Sequence, residues 1–383
     1  MKTNYFFILL FVFLTFFSCK SDKKTSETVE NRIPVIDIGK AVDNLSNQKF
    51  NFSEFTDDIT YLPLETNDKS VIGGRFAPPI SVSENLIFHG DMMFGRDGRF
   101  IRKLGKIGQG PEEYVQALGI AVDEERKEFY VHSNLQIYIY DFESRFKKKF
   151  MVSDRGHSIY SIGNGKIVLF RDNWGDYFNF NEYRVFDINS EKLLYTRYSG
   201  VKDYDTFKRV RNLLWRYNEE TFYYEASTDS IFRLKENGEI DVPRYIINHG
   251  KYKNKNSEYY LNIGFIVESG QYLFFSISKR STTSNNSDLY YCAFDKQTEK
   301  IIINKFDEFF NNDIDGGFVS LFNSTSNGHE GFYYIFPFLA KERIETFSNQ
   351  NKGYDKEKNQ KLRQLIKDIK EDDNKIFYFF KLK

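Results

Sequence analysis

The stretch FGRDGRFIRKLGKIGQGPEEY, residues 94–114, contains a hairpin turn, a short strand and then a glycine-rich corner. That corner holds Gly108, Gly110, Pro111, Glu113 and Tyr114. A phosphate-binding loop needs a helix directly after its glycines, whereas VQALGIAVDEERKEFYV reads here as strand, turn and strand. The glycines therefore predict a tight corner between two units of a repeated β-fold, stiffened by the proline and anchored in the core by the tyrosine.

Short apolar and aromatic runs, such as ITYLPLE at 59–65 and QIYIYDF at 136–142, recur along the chain with turn residues between them. The 383 residues include 40 Phe and 26 Tyr, and aromatic side chains suit the pleated surface of strands. The runs come in groups of four, each group taking about 50 residues, a period typical of propeller blades. We therefore predict an all-β, six-bladed β-propeller; a pair of β-sandwiches with irregular insertions is the alternative.

The period changes only near the end of the chain. Residues 353–374 place Leu362, Leu365, Ile366 and Ile369 on one face of an amphipathic helix, and a shorter helix is predicted at 339–347. The last segment, KIFYFFKLK, reads as a strand. A strand in this position is suited to closing the ring by pairing near the N-terminal strands.

The chain resembles the six-bladed β-propeller lipoproteins of Bacteroidota-type bacteria, whose blades are similar to NHL repeats. The resemblance rests on DGRFIRKLGKIGQGPEEY, GIAVDEERKEFYV, ITYLPLET, STDSIFRL and EDDNKIFYFFKLK. It implies that residues 108–114 link the outer strand of one blade to the inner strand of the next, and that the propeller spans residues 33–383. The shared motifs are structural and imply no chemistry.

The N-terminus predicts export. Its apolar run from Tyr5 to Phe17 is too short to cross a bilayer as a helix but suits a signal peptide, here residues 1–18. Ser18 and Cys19 follow, which resembles a lipobox and makes Cys19 the expected lipidation site; ordinary secretion and an uncleaved anchor are the alternatives. Residues 19–32 are polar, as a tether would be. We expect a lipid anchor in the outer membrane, with its periplasmic face favoured over the cell surface.

Charge and motif content narrow the function classes. The 54 basic and 54 acidic residues balance, so no overall field recruits nucleic acid, and we expect no nucleic-acid partner. The five histidines lack the spacing of a zinc site, and no Gly-x-Ser-x-Gly is present. No cofactor is expected; calcium is the one metal with a partial motif, in which Asn311, Asp313 and Asp315 precede Gly316 but no glutamate stands at the twelfth position.

Two aromatic segments are the candidates for ligand binding. RDNWGDYFNFNEY, residues 171–183, mixes aromatic rings with amides and carboxylates, as sugar and peptide sites do, although a hairpin with inward-facing rings is the alternative. KDYDTFKRVRNLLWRY, residues 202–217, surrounds a tryptophan with basic residues, although a solvated face is its alternative. The candidate ligand-binding residues are Asp172, Asn173, Trp174, Tyr177, Arg211 and Trp215.

The predicted function is therefore recognition. We expect an envelope-anchored propeller that binds a glycan, a peptide or an envelope protein at one mouth of its ring, or that serves as a scaffold. A propeller enzyme, such as a lyase, lactonase or glycoside hydrolase with its site in the central channel, is the alternative. Propeller sites are built from loops of several blades and leave no local motif, so the sequence does not choose between these functions.

Overall fold

Four short elements open the fold, and the three strands among them pair with strands from much later in the chain. The computed structural model describes residues 32–46, 49–72, 79–152, 158–170, 181–198, 213–253, 256–320, 323–325 and 328–383. The first elements are β1 (Val35–Asp37), α1 (Ile38–Asp43), β2 (Phe50–Asn51) and β3 (Thr60–Pro63). All elements below lie within residues 33–383, which form one compact unit.

The next three sheets are four-stranded antiparallel blades, each formed from strands that are consecutive in the chain. Blades 1, 2 and 3 contain, in order, β4 (Ile80–Val82), β5 (Leu86–His89), β6 (Met92–Gly95), β7 (Phe100–Lys103), β8 (Gly119–Asp123), β9 (Glu128–Ser133), β10 (Gln136–Asp141), β11 (Phe146–Met151), β12 (Ser158–Gly163), β13 (Lys166–Phe170), β14 (Asn181–Asp187) and β15 (Lys192–Tyr198).

Blades 4 and 5 repeat this pattern, with one addition. Their strands are β16 (Leu213–Tyr217), β17 (Glu220–Glu225), β18 (Ser230–Leu234), β19 (Tyr245–Asn248), β20 (Tyr259–Glu268), β21 (Tyr272–Ser281), β22 (Ser287–Asp295) and β23 (Ile301–Lys305). The addition is β1, which pairs in parallel with the outer strand β19 and makes blade 4 five-stranded. This pairing was not predicted from the sequence.

Blade 6 closes the ring. The remaining elements are β24 (Phe310–Asn311), which pairs with β2, then β25 (Asn323–Ser324), β26 (Glu330–Ile335), α2 (Pro337–Gln350), α3 (Lys356–Asp368) and β27 (Ile376–Lys381). The blade has the order β25, β26, β27, β3, so the C-terminal strand pairs with an N-terminal one. The predicted six-bladed propeller, the helix before the last strand and the closure by that strand are all confirmed.

In the part of the chain that the structure describes, six apolar clusters hold the ring together, one between each pair of neighbouring blades. Strand β9 shows how one strand serves two of them, because successive side chains of a strand point to opposite faces. Phe129 and Val131 pack toward blade 1, whereas Tyr130 packs toward blade 3. A blade with two apolar faces needs a neighbour on each side, and a closed ring supplies both.

The glycine-rich segment at 108–114 connects β7 of blade 1 to β8 of blade 2. Glu113 folds back so that its carboxylate accepts a hydrogen bond from the Gly110 N–H at 3.0 Å, and a side chain at position 108 would collide with that carboxylate. Tyr114 is buried, and its hydroxyl donates to the Leu104 carbonyl at 2.6 Å. The segment is therefore a corner between blades, held by its own hydrogen bonds.

Candidate functional site

A channel runs through the centre of the ring. Each blade contributes residues of its first strand to a cavity of 440 Å³. We call these the first strands: β4, β8, β12, β16, β20 and β25. First strands of adjacent blades contact each other directly, for example β4 with β8 and β16 with β20. The lining mixes small polar groups such as Ser81 and Ser161 with the aromatic side chains of Tyr160, Phe265 and Tyr334.

The channel opens into a wider cavity of 840 Å³, which we call the mouth. It lies at the end of the ring where first strands turn back into second strands, and Asn164 belongs to one of these turns. Val122, Ser161 and Arg216 line both cavities, so the mouth and the channel adjoin. Volumes of this size are typical of sites for small molecules or short segments of a partner.

The mouth is acidic. Among the described residues that line it, the acidic ones outnumber the basic ones by seven to three, His329 aside. The acidic set is Glu84, Asp123, Glu124, Glu125, Glu219, Glu220 and Glu236, and the basic set is Arg216, Arg233 and Lys235. A concave surface lined by one sign of charge concentrates the field and attracts ligands of the opposite charge.

Some of these acids already have protein partners. Glu220 pairs with Arg233 at 2.8 Å, and Glu236 pairs with Lys166 at 3.0 Å. Three others, Glu84, Glu125 and Glu219, have side chains without a hydrogen-bond or ion-pair partner in the described part of the chain. We call these three the mouth carboxylates; they come from turns of blades 1, 2 and 4.

Arg216 lies where the mouth meets the channel. One terminal nitrogen of its guanidinium donates to the Glu219 carbonyl at 3.1 Å, whereas its Nε is buried without a hydrogen-bond partner. Burial lowers the pKa of Arg216, although Glu125, Glu219 and Asp123 favour its charged form. The guanidinium is therefore a fixed positive charge beneath an acidic rim.

Comparison with known proteins shows the family to which this chain belongs. The family model for a domain of unknown function, DUF4934, matches residues 33–381. The chain belongs to the DUF4934 family. Among curated proteins there is no significant match.

Two solved structures of Bacteroides proteins are similar to this DUF4934 protein. The first is a Bacteroides fragilis protein named for its expected export; it is 16% identical, has a TM-score of 0.63, and the match covers 91% of this chain and 99% of that one. The second, a DUF4221 family member from Bacteroides vulgatus, is 9% identical with a TM-score of 0.46 over 86% and 97% of the two chains. At these identities the first likeness shows a shared fold.

Of the residues predicted to bind a ligand, the structure describes only Trp215. The residue is 3% exposed and is among those that line the channel, while its ring stacks on Phe222 at 5.8 Å and packs between blades 4 and 5. The tryptophan lies on an inner strand, where alternate side chains point into the seams between blades. The other predicted residues, Asp172, Asn173, Trp174, Tyr177 and Arg211, lie outside the described residues.

Trp215 instead belongs to a buried polar cluster that the sequence analysis missed. Its indole N–H donates to Glu268 at 3.2 Å, and Glu268 also accepts two hydrogen bonds from Arg244, at 2.9 and 2.7 Å, and one from Lys296 at 3.0 Å. Glu268 is completely buried. These four residues are spread over residues 215–296, so no local signal could have identified the cluster.

The predicted calcium turn has other hydrogen-bond partners. Asn311 bonds to Asn51 and to the backbone of Lys352, and the Asp313 carboxylate accepts from the backbone and hydroxyl of Ser53. Asp315 is buried and accepts from the Tyr61 hydroxyl and from Asn312. Within the described ranges, no group of three or more His, Cys, Asp or Glu is placed to hold a metal ion. The three side chains thus fasten N-terminal segments to this turn.

The two cysteines differ in what the structure shows of them. Cys19 lies outside the described residues. Cys292 is a free thiol in β22, buried between blades 4 and 5, where burial raises its pKa well above the ordinary value. A protonated, inaccessible thiol is a poor nucleophile. In the described part of the chain, no helix has the length and apolar character needed to cross a membrane.

Proposed function

We propose that this protein is an envelope-anchored recognition module that binds a basic peptide segment of a partner protein at the acidic mouth of its propeller. The observation that carries the proposal is the set of three mouth carboxylates without protein partners, arranged around an 840 Å³ concavity. Lysine and arginine side chains of a peptide would supply the missing partners. Such charge complementarity speeds association and sets specificity more than it adds affinity.

The chemistry of the mouth favours a peptide over a glycan. Sugar sites use flat aromatic rings as platforms, and the described residues that line the mouth include no Trp, Tyr or Phe. They offer carboxylates, backbone groups and small polar side chains such as Ser161 and Thr221. This set fits an extended chain that carries ammonium or guanidinium groups.

Anchoring in the envelope is part of the same proposal. It is supported by the signal-peptide pattern of residues 1–18, by Cys19 as the lipidation site and by the polar tether at 19–32. The structural relative from Bacteroides fragilis is named for its expected export, which agrees with a location in the cell envelope. A lipid at Cys19 would hold the propeller at the outer membrane, where the mouth could meet other envelope proteins.

A binding measurement tests the proposal. The purified full chain is titrated against a fluorescently labelled hexalysine peptide, with labelled hexaglutamate as the opposite charge. The double variant Glu84→Gln, Glu125→Gln should weaken hexalysine binding about 3- to 10-fold, because each exposed charge contributes about 0.2–1 kcal/mol. The difference should shrink as the salt concentration rises.

The matched control removes two acids away from the mouth. Glu371 and Asp372 are exposed in the loop before β27, at the other end of the ring. The double variant Glu371→Gln, Asp372→Asn has the same net charge as the mouth variant and should bind hexalysine as the unmodified protein does. Equal losses in the two variants would show attraction by net charge alone and would refute a site at the mouth.

A thermal-shift screen tests the glycan function that the sequence suggested. A glycan panel that raises the melting temperature, with loss of the effect in Trp174→Ala, would place recognition at residues 171–183 and replace the peptide proposal. We expect no glycan-dependent shift of this kind.

A further inference from the structure

Lys375 is a buried lysine at the end of the ring opposite the mouth, where Ile376 of β27 pairs with Ile335 of β26. It immediately precedes β27, and the residue is only 6% exposed. Its ammonium lies 4.3 Å from the ring centroid of Tyr334 and 4.9 Å from that of Phe336. No carboxylate in the described part of the chain pairs with it. The two aromatic faces are the partners that the structure provides for this charge.

His89 lies in the same region. It is fully buried on β5, with its ring centroid 6.4 Å from that of Tyr334 and 6.2 Å from that of Phe377. Neither ring nitrogen has a hydrogen-bond partner among the residues that the structure describes. Burial, together with the charge of Lys375, lowers the pKa of His89 to about 3, so the ring is a neutral imidazole.

Apolar surface is exposed beside this pair. Phe336 and Phe338, at the start of α2, are 46% and 48% exposed, and their ring centroids are 5.7 Å apart. Tyr334, on the other side of the ammonium, lines the channel. The Lys375 ammonium therefore lies between Tyr334, which lines the channel, and Phe336, one of the two exposed rings.

This arrangement is suited to an anion with an apolar part. A cation held against aromatic faces keeps part of its attraction for a negative group, and burial strengthens that attraction. One ammonium matches the single charge of a carboxylate, whereas phosphate groups are usually held by several donors or by the paired donors of arginine. The exposed phenyl rings would contact the flat or apolar body of the same ligand.

We propose that Lys375 binds the carboxylate of a small ligand whose apolar part packs on Phe336 and Phe338. This site lies at the other end of the ring from the peptide-binding mouth and does not depend on it. The two sites would take ligands of opposite charge.

The test uses benzoate as the probe and benzamide as its neutral analogue, titrated against the purified full chain by NMR or calorimetry. We expect saturable benzoate binding below about 10 mM and benzamide binding at least about tenfold weaker, because a hydrogen bond to a charged group is worth more than one decade in affinity. Lys375→Met, which keeps the length of the side chain, should lose a similar factor. Lys375→Arg should retain most of the binding.

Lys370 provides the matched control, because it is exposed and close in sequence but lies outside this aromatic cluster. Lys370→Met should bind benzoate within about twofold of the unmodified protein, as surface charges contribute little. Phe336→Leu should weaken benzoate about threefold and leave acetate unchanged, because only the apolar contact is reduced.

Four results would overturn the proposal. These are the absence of saturable benzoate binding, equal binding of benzamide, equal losses in Lys370→Met and Lys375→Met, and tighter binding of inorganic phosphate than of benzoate. Melting curves of every variant show whether it is folded, and Lys375→Arg supports or refutes the charge requirement even if Lys375→Met does not fold.

Discussion

Carboxylates occur in two contrasting settings in this propeller. Glu225 and Glu268 are buried in seams between blades, and their oxygens are held by donors from more than one blade, such as Arg197 of β15 on Glu225 at 2.8 Å. The mouth carboxylates lie on turns and have no such donors in the described ranges. The same functional group thus stabilises the ring where it is buried and paired, and is free to meet a ligand where it is exposed. Substitutions in the two sets should separate stability from binding.

The largest effect is expected at Glu268. Glu268→Gln leaves Arg244, Lys296 and the indole N–H of Trp215 in a buried seam without their negative partner. Breaking a buried ion pair in this way typically costs about 3–5 kcal/mol, and we expect a loss near the lower end because Arg244 is partly exposed. Denaturant unfolding of the variant measures this loss.

Glu219→Gln is the control from the mouth. It should change the free energy of unfolding by less than about 0.5 kcal/mol, as most surface substitutions do. If both variants lose the same stability, the distinction between seam and mouth carboxylates is wrong.

A smaller effect, with a defined pH dependence, is expected at Glu128. Burial alone would raise its pKa, but hydrogen bonds from Lys147 and Arg126 outweigh burial and hold the pKa below its ordinary value. A carboxyl group whose pKa is lowered by folding stabilises the protein above its unfolded pKa, and that stabilisation is lost as the pH falls through the folded pKa. Glu128→Gln should therefore cost about 1–3 kcal/mol at pH 7.

The loss should become smaller in acid. Unfolding curves of Glu128→Gln and of the unmodified protein should converge as the pH falls below about 4, since both then carry an uncharged group at this position. A difference in stability that stays constant from pH 7 to pH 3 would contradict the ion-pair explanation and point to packing.

The ring and its closure could be predicted because their signals are local. Alternating apolar residues and turns mark each blade, and the helical period at 353–374 contains α3 just before the closing strand. The pairing of β27 with β3 then follows from the position of the last strand. The parallel addition of β1 to β19 could not be predicted, because it joins residues more than 200 positions apart and leaves no pattern in either strand.

The candidate sites could not be predicted, because the residues that form each of them are far apart in the sequence. The mouth carboxylates come from turns of three blades, and Lys375 and His89 are more than 200 positions apart in the sequence. Aromatic density drew attention to Trp215, but a propeller uses most of its aromatic side chains to fill the seams between blades. Composition therefore predicts the core of this fold better than its ligand sites.

A third setting for carboxylates is the turn at Asp313. The Asp313 carboxylate accepts two hydrogen bonds from Ser53, and because an amide keeps one acceptor oxygen, Asp313→Asn should cost about 1 kcal/mol, the net value of a typical hydrogen bond. Calcium should not change this result. Each protein should have the same melting temperature in millimolar calcium as in EDTA. If EDTA lowers the melting temperature of the unmodified protein but not that of the variant, the turn is a calcium site instead.

The smallest change in stability, with a measurable change in binding, is expected at Arg216. Its positive charge lies between the mouth and the channel and repels a basic ligand, while Glu125 and Glu219 attract one. Arg216→Met keeps the apolar stem and removes the charge, so hexalysine should bind about threefold more tightly at low salt. The gain should fade as salt screens the charges of the mouth.

Arg99→Met is the control, because Arg99 is exposed on the hairpin between β6 and β7 and outside the mouth. If Arg99→Met gives the same gain, net charge explains the effect; if Arg216→Met weakens binding, the guanidinium itself contacts the ligand and the mouth selects a group other than a cation.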